Sequence, residues 1–294
     1  MTTESFGFAY GPRINAAGRL DHALISAKLL MTDDEEEAEA LAQQLEALNL
    51  ERRRLEREAT TQAERALKDQ IGAVALGVHP DWHPGVLGIV AGRLVERLHK
   101  PVLLAGQEED LVKGSGRSVP GFDLGGALVD AQRKGLALKA GGHPMAGGFT
   151  VRSDHLDAFR AHLETWPAGA PEPPSLALDG TLMVAGASLN LALSLEKLAP
   201  FGQDHQVPRF RIRDASVVHV QEVGKQHLRC QVRGPDGSRL EAIAFRCLGT
   251  ELGRALQDWR GGPPCQLAGK LSVDRYRGFE RAHFMIEDLA TAEA

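Results

Sequence analysis

The chain has 294 residues, 43% of them hydrophobic, and a formal net charge of −5; at about 100–200 residues per domain, two domains are expected. Its three cysteines, Cys230, Cys247 and Cys265, are far apart and match no metal-ligand spacing, so a reducing, cytoplasmic setting fits them best. No apolar run approaches the roughly 20 residues of a membrane span, and residues 1–10 lack a basic-then-apolar signal pattern.

Residues 1–19 are rich in Gly, Ala and Asn without periodicity. Gly11-Pro12-Arg13-Ile14-Asn15-Ala16-Ala17-Gly18-Arg19 reads as an ordered loop running into a short helix over 20–31. Thr32 and Glu35 then form a Thr-x-x-Glu capping box, with acids crowding the first turn. From Asp33 to Asp69 there is no Gly or Pro, and Leu41, Leu45, Leu48 and Leu55 keep a helical stripe. One helix on the order of 55 Å long is predicted, of the polar kind that commonly bridges domains. Residues 33–70 hold twelve acidic against six basic side chains, whereas 175–294 hold fourteen against fifteen. The acidity therefore sits in one segment, and a neutral remainder can grip phosphates if its arginines cluster on one face.

An α/β alternation follows. Strands are predicted over 73–78, 101–105 and 111–118, and helices over 84–98, opened by Pro84, and over 123–133. Gly141–Val151 reads as a Gly-rich turn entering a strand, and 153–166 as an amphipathic helix capped by Ser153. Strands alternating with helices imply a sheet covered by helices. Four prolines between Pro167 and Pro174 mark a stiff linker and a domain boundary. Beyond it come short strands near 178–184, 210–220, 228–232, 239–245, 265–273 and 282–286, with helices over 189–198 and 249–259. Turns such as Pro235-Asp236-Gly237 between them suggest a small barrel of the OB type.

Several motifs bear on chemistry. In Gly114-Ser115-Gly116-Arg117-Ser118, glycines would let backbone amides approach an anion, the hydroxyls donate, and the guanidinium fork matches phosphate oxygens. A strand-end turn with a surface arginine explains the same letters more simply. Gly141-Gly142-His143-Pro144-Met145-Ala146-Gly147-Gly148 either presents a histidine where bulky side chains would block a substrate or forms a tight turn around a structural histidine. Arg13, Asn15 and Arg19 either line a narrow groove that tracks a backbone or flank a tightly packed helix start. Arg275, Tyr276 and Arg277, with Phe279 and Arg281, interleave cations and aromatics as single-strand binders do, and as a solvated hairpin also would. Arg209, Arg211 and Arg213 share one strand face, phosphate-facing or simply solvated. His79 and His83 lack a carboxylate or thiol partner at sensible spacing. Asp21-His22 is isolated, and Asp33 to Glu37 is a helix start. No clustered Asp and His set for metal-assisted hydrolysis is found, and no metal ligand is assigned.

Taken together and in order, Pro12–Leu20, the long helix, Trp82-His83-Pro84-Gly85, Gly114–Ser118, Gly141-Gly142-His143 and Leu198-Ala199-Pro200-Phe201-Gly202 resemble the RecJ single-stranded-DNA exonucleases of the DHH/DHHA1 phosphoesterase superfamily. The resemblance implies a substrate-groove segment and connecting helix over 1–70, an α/β DHHA1 domain over 71–166, a linker over 167–174 and an OB-type nucleic-acid-binding domain over 175–294. It implies 5′→3′ hydrolysis of single-stranded DNA with Mn²⁺ or Mg²⁺, in repair and recombination. It places Ser115, Gly116, Arg117, Ser118, Gly141 and Gly142 at the 5′ phosphate and His143 over the scissile phosphate. Arg13, Asn15 and Arg19 would line the DNA groove, and Arg275, Tyr276 and Arg277 would lie on the OB domain's DNA face. The DHH domain that supplies the family's metal ligands is not found, so this chain is expected to bind no metal itself, to be inactive alone and to need that domain in cis or as a separate chain. Starting just ahead of the groove motif, the chain reads as a fragment or a truncated frame. A stand-alone single-strand-binding module and a split-nuclease subunit are the alternatives. Single-stranded DNA is the expected partner, with a single-strand-binding protein as a further one. The stretch Gly202–Pro208 departs from the family in lacking an Asn-Pro pair.

Overall fold

In the computed structural model, which describes residues 5–169, 175–202, 204–275 and 278–291, one π-helical turn at Phe6–Tyr10 runs directly into α1 (Gly11–Leu20). The segment read as a loop is thus helical. Pro12 lies in the first turn, where its missing amide costs nothing. Ala16 and Ala17 are fully buried; small side chains bring the helix close to its neighbours without the long apolar stripe that would advertise it. After α2 (Leu24–Met31) comes α3 (Glu35–Leu67), 33 residues and so about 50 Å long. Asp34, not Thr32, caps it, accepting from the Glu37 amide at 2.9 Å. The Thr32 hydroxyl instead donates to the Glu37 carboxylate at 2.5 Å. The first half of α3 packs on α1 and α2, and its second half on α4 (Pro84–Leu98) and β1 (Ala75–His79). Within it Leu45, Ala59, Ala63 and Leu67 are buried, together with the polar Asn49 and Glu56; Leu41, Leu48 and Leu55 are only half-buried.

The sheet of this first unit (1–174) adds β2 (Val102–Glu108), β3 (Leu111–Arg117), β4 (Lys139–His143) and β5 (Ala146–Arg152) in the order β1-β2-β3-β5-β4. β1 and β2 are parallel, joined by α4, and the other pairings are antiparallel. The Gly-rich run is therefore a hairpin of two strands rather than a turn into one. Strand residues alternate between two cores. Ala75, Val102 and Leu104 pack with Val86, Leu87, Val90 and Leu94 of α4. Leu103, Val112, Phe149 and Val151 pack with Leu124 and Leu128 of α5 (Leu124–Arg133) and Phe159 and Leu163 of α6 (Leu156–Glu164). A 3₁₀ turn at Ser153–His155 precedes α6, and Ser153 makes no side-chain cap to it.

The second unit (175–294) contains β6 (Gly180–Leu182), α7 (Leu189–Glu196), β7 (Arg209–Val223), β8 (His227–Arg233), β9 (Arg239–Ala244), α8 (Glu251–Asp258), β10 (Cys265–Asp274) and β11 (Arg281–Thr291). The order β10-β11-β9-β8-β7-β6 closes through a further β10–β7 pairing. Five strands therefore form a closed barrel, the OB-type architecture expected. Alternate residues point inward: Leu228, Cys230 and Val232 of β8 are buried while Arg229 and Arg233 are exposed. Cys230, Cys247 and Cys265 all lie in this core. Burial pushes the Cys230 thiol up to about 12 and that of Cys265 to about 11. Since the thiolate is the reactive form, all three should resist a disulfide reagent at pH 8 in the native protein and react together once denaturant unfolds the barrel; rapid native labelling would contradict this burial. Among the described residues no helix is long and apolar enough to cross a membrane.

Candidate nucleic-acid interface

Pairing register decides which motif residues meet. Arg117 of β3 stands opposite Ala146 of β5, which stands opposite His143 of β4; one row along, Ser115, Gly148 and Gly141 align. Because side chains alternate, Ser115, Arg117, Gly141, His143 and Gly148 share one sheet face. That is the face α4 covers at β1 and β2. Gly116 points the other way, against Leu124 and Leu103. Over β4 and β5 the shared face is open: a Cβ on Gly141 would meet nothing within 4 Å, and one on Gly148 only the Gly114 carbonyl oxygen at 3.7 Å.

Arg117 lies across Gly88 of α4, where a Cβ would stand 2.8 Å from its guanidinium. Its Nη1 donates to the Gly116 carbonyl at 2.8 Å and to the Ser115 hydroxyl at 3.2 Å. Burial, then the nearby Arg19, hold its pKa below the usual arginine value. Arg52 of α3 is lowered too: burial leads, Glu56 opposes, and Arg19, Arg53 and Arg93 add repulsion. Its Nη1 donates to Glu56 at 2.8 Å and its Nη2 to Asn49 at 3.0 Å, while its buried Nε has no partner. Arg93 of α4 pairs with the other oxygen of Glu56. Glu56 thus serves two arginines, while Arg19 adds charge beside both Arg52 and Arg117. Such crowding of cations favours a bound anion. Arg52 and Glu56 are hidden in the sequence because on a helix with so many charges nothing but burial distinguishes them, and Arg93, exposed on α4, is marked only by its pairing with Glu56.

Asn15, Arg19, Arg52 and Ile89 line a hollow of about 360 Å³. Arg19 donates to the Gly85 carbonyl at 3.3 Å, locking α1 to the start of α4. Arg13 is turned away: it pairs with Glu46 of α3 and donates to the Ala9 carbonyl at 2.8 Å. Ser118 is also drawn inward, its buried hydroxyl donating to the Phe122 carbonyl at 2.8 Å. His83 caps α4, accepting from the Gly85 amide at 3.1 Å, and His79 stacks on Trp82.

His143 is exposed at the end of β4. Its backbone is held from two sides. Gly142 has φ +156°, and a Cβ there would lie 2.3 Å from the Ala146 carbonyl oxygen. The start of α5 presses on the same peptide, a Cβ on Gly125 standing 2.9 Å from both Gly142 O and His143 C. The Leu124 amide donates to the Pro144 carbonyl at 3.1 Å. Glycines here permit close backbone packing that fixes the histidine on an open face.

On the barrel, Arg275 is engaged by two carboxylates, Glu196 at 2.7 Å and Glu280 at 3.0 Å. Both hydrogen bonds raise its pKa, Glu196 the more. Its charge is therefore balanced within the unit. Tyr276 and Arg277 lie outside the described residues. Arg281 stands over the exposed Phe279 ring at 5.9 Å. Of the arginine row on β7, Arg209 pairs with Glu287 at 2.7 Å and Arg211 donates to the Thr181 hydroxyl at 3.3 Å, while Arg213 is exposed. Among the described residues no group of three or more His, Cys, Asp or Glu side chains could hold a metal ion. These residues do not fit the Mn²⁺ or Mg²⁺ that the resemblance implies.

Comparison with known proteins agrees with this architecture. The family described as DHHA1 domain matches residues 70–168, and that described as RecJ OB domain matches 178–288. The single-stranded-DNA-specific exonuclease RecJ of Escherichia coli is 34% identical over 306 residues, covering 98% of this chain and 52% of that protein. The Bacillus subtilis RecJ is 30% identical, covering 99% of this chain and 37% of its own length. The crystal structure of Thermus thermophilus RecJ in complex with Mg²⁺ matches with a TM-score of 0.82 at 29% identity, over 100% of this chain and 44% of that one; the Mn²⁺ complex has the same TM-score. The chain spans about half the length of the E. coli relative or less of the others. It is homologous, over nearly its whole length, to the DHHA1 and OB region of the RecJ exonucleases.

Proposed function

We propose that this chain supplies the strand-holding half of a 5′→3′ single-stranded-DNA exonuclease of the RecJ type, acting with Mn²⁺ or Mg²⁺ in DNA repair and recombination. The observation that carries the reading is the arginine cluster. Arg19 stands close enough to both Arg52 and Arg117 to repel each of them, and Arg117 is hydrogen-bonded to Ser115. A phosphate monoester, with close to two negative charges and three acceptor oxygens, relieves that repulsion best. Arg117, Ser115 and Arg19 take the 5′ phosphate, Asn15 and Arg52 line its approach, Gly141 and Gly142 leave room for the strand, and His143 faces the scissile phosphate. Ser118 and Arg13 hold the fold behind them. The OB barrel supplies further contacts to the strand, through Arg213, Phe279, Arg281, Tyr276 and Arg277. The catalytic DHH domain of the relatives supplies the metal ligands, in cis or as a separate chain. The chain by itself binds strands without cutting them, in a reducing cytoplasm where a single-strand-binding protein presents the substrate.

The test is binding of the chain to fluorescent oligonucleotides that differ only in a 5′ phosphate or 5′ hydroxyl. Arg117→Ala should abolish the preference for the phosphorylated end, because a guanidinium fork distinguishes a dianion from a hydroxyl. Equal weakening of both strands would make Arg117 a general backbone contact and remove the end-recognition role.

A further inference from the structure

Lys113 and Lys139 are absorbed by none of the roles above. Lys113 lies on β3 and Lys139 on β4, and both stand opposite Thr150 of the intervening β5. Their side chains therefore rise from the same sheet face as Ser115, Arg117 and His143. With strands about 4.8 Å apart, the two lysine backbones are separated by roughly 10 Å. Gly141 and Gly148 lie between this row and the Arg117–His143 row, and the space above them is open. Lys113, Lys139, Gly141, Gly148 and Thr150 line a hollow of about 410 Å³. Both lysines are exposed, and among the described residues neither is paired with a carboxylate. Two unpaired ammonium groups facing each other across a polar threonine suit one phosphodiester anion, with the Thr150 hydroxyl as a further donor.

We propose that Lys113, Thr150 and Lys139 form a second phosphate subsite, which holds an internal phosphodiester of the strand whose terminal phosphate lies at Ser115 and Arg117. The inference rests on the end-recognition reading above. The lysine row lies two residues along the strands from the Ser115 row, roughly 6.6 Å, so one extended strand reaches both. Lysine suits an internal phosphate: it acts as a point charge and needs no bidentate fork, unlike the terminal group at Arg117.

The experiment measures affinity of the full chain for a 5′-phosphorylated pentathymidylate and for thymidine 5′-monophosphate, the latter by competition, across a salt series. Lys113→Ala/Lys139→Ala should weaken the oligonucleotide several-fold and lower the slope of log affinity against log salt by about 0.7, the value for one phosphate contact on a single strand. It should leave the mononucleotide unchanged, and Lys113→Arg/Lys139→Arg should restore the slope. An unchanged oligonucleotide affinity, or equal weakening of the mononucleotide, overturns the subsite. Arg117→Ala separates the two ideas. If it weakens the mononucleotide while the double variant does nothing, only the subsite is wrong; if neither variant alters any binding, the end-recognition reading falls as well.

Discussion

Replacing His143 by alanine, in the chain joined to the catalytic domain of a relative, is expected to cut turnover by roughly 10²-fold or more with little change in strand affinity. The imidazole stands on the open face one register row from Ser115, in the same row as Arg117. From there it can stabilise charge developing on a phosphoryl oxygen or handle a proton, and both effects appear in the transition state rather than in binding. The backbone clasp around it has a different purpose: Gly142 and Gly125 permit contacts of about 3 Å or less where any side chain would intrude. Gly142→Ala should therefore lose activity by moving the histidine, and should lower thermal stability as well. His143→Ala, on an exposed strand end, should melt like the parent. A melting loss in His143→Ala with turnover retained would mean that the histidine only shapes the hairpin.

The second large effect concerns Glu56. Its side chain is 4% exposed and its two oxygens serve Arg52 and Arg93. Glu56→Ala leaves Arg52, 11% exposed, beside three other arginines with no carboxylate. Breaking a buried pair from one side costs about 3–5 kcal/mol, because the remaining charge stays desolvated. For a unit of this size the melting temperature should fall by on the order of 10 °C. Inorganic phosphate should recover part of that loss, since an anion that binds only the folded state stabilises it. Glu56→Gln, whose single carbonyl oxygen can still accept from one of the two arginines, should fall between. A Glu56→Ala protein that melts normally would show that Arg52 needs no counter-ion and would weaken the case for a charge-crowded anion site.

Much of the fold was legible because the local signals agree with the tertiary contacts. Pro84 starts α4 where expected, a run without Gly or Pro becomes α3, and the alternating apolar residues of β8 become the barrel interior. Where local chemistry and packing part, the local pattern misleads. The Gly/Ala-rich stretch ending at Leu20 has no apolar periodicity, yet burial of Ala16 and Ala17 makes it a helix. Two glycine pairs, Gly141-Gly142 and Gly147-Gly148, look like a turn, but the turn is Pro144-Met145 and the glycines are strand residues facing one another. For the site, the nearness of Arg117 to His143 depends on a register across three strands, which no local pattern encodes. Ser118 and Arg13 looked like free ligands, yet Ser118 is buried on the Phe122 carbonyl and Arg13, still part-exposed, is engaged by Glu46. Arg275 looked like a free cation and is held by two carboxylates.

The closed barrel has a consequence for how the protein is made. β11 lies between β9 and β10 in the ladder, although it is the last of the five to be synthesised. Until Thr291 has left the ribosome, the strands made earlier cannot complete their hydrogen-bonded ring. With elongation at about 5–20 residues per second, β9 waits several seconds with one edge unpaired. Open edges of that kind recruit other chains unless charge discourages them. Arg239, exposed at the start of β9, places such a charge on that waiting strand.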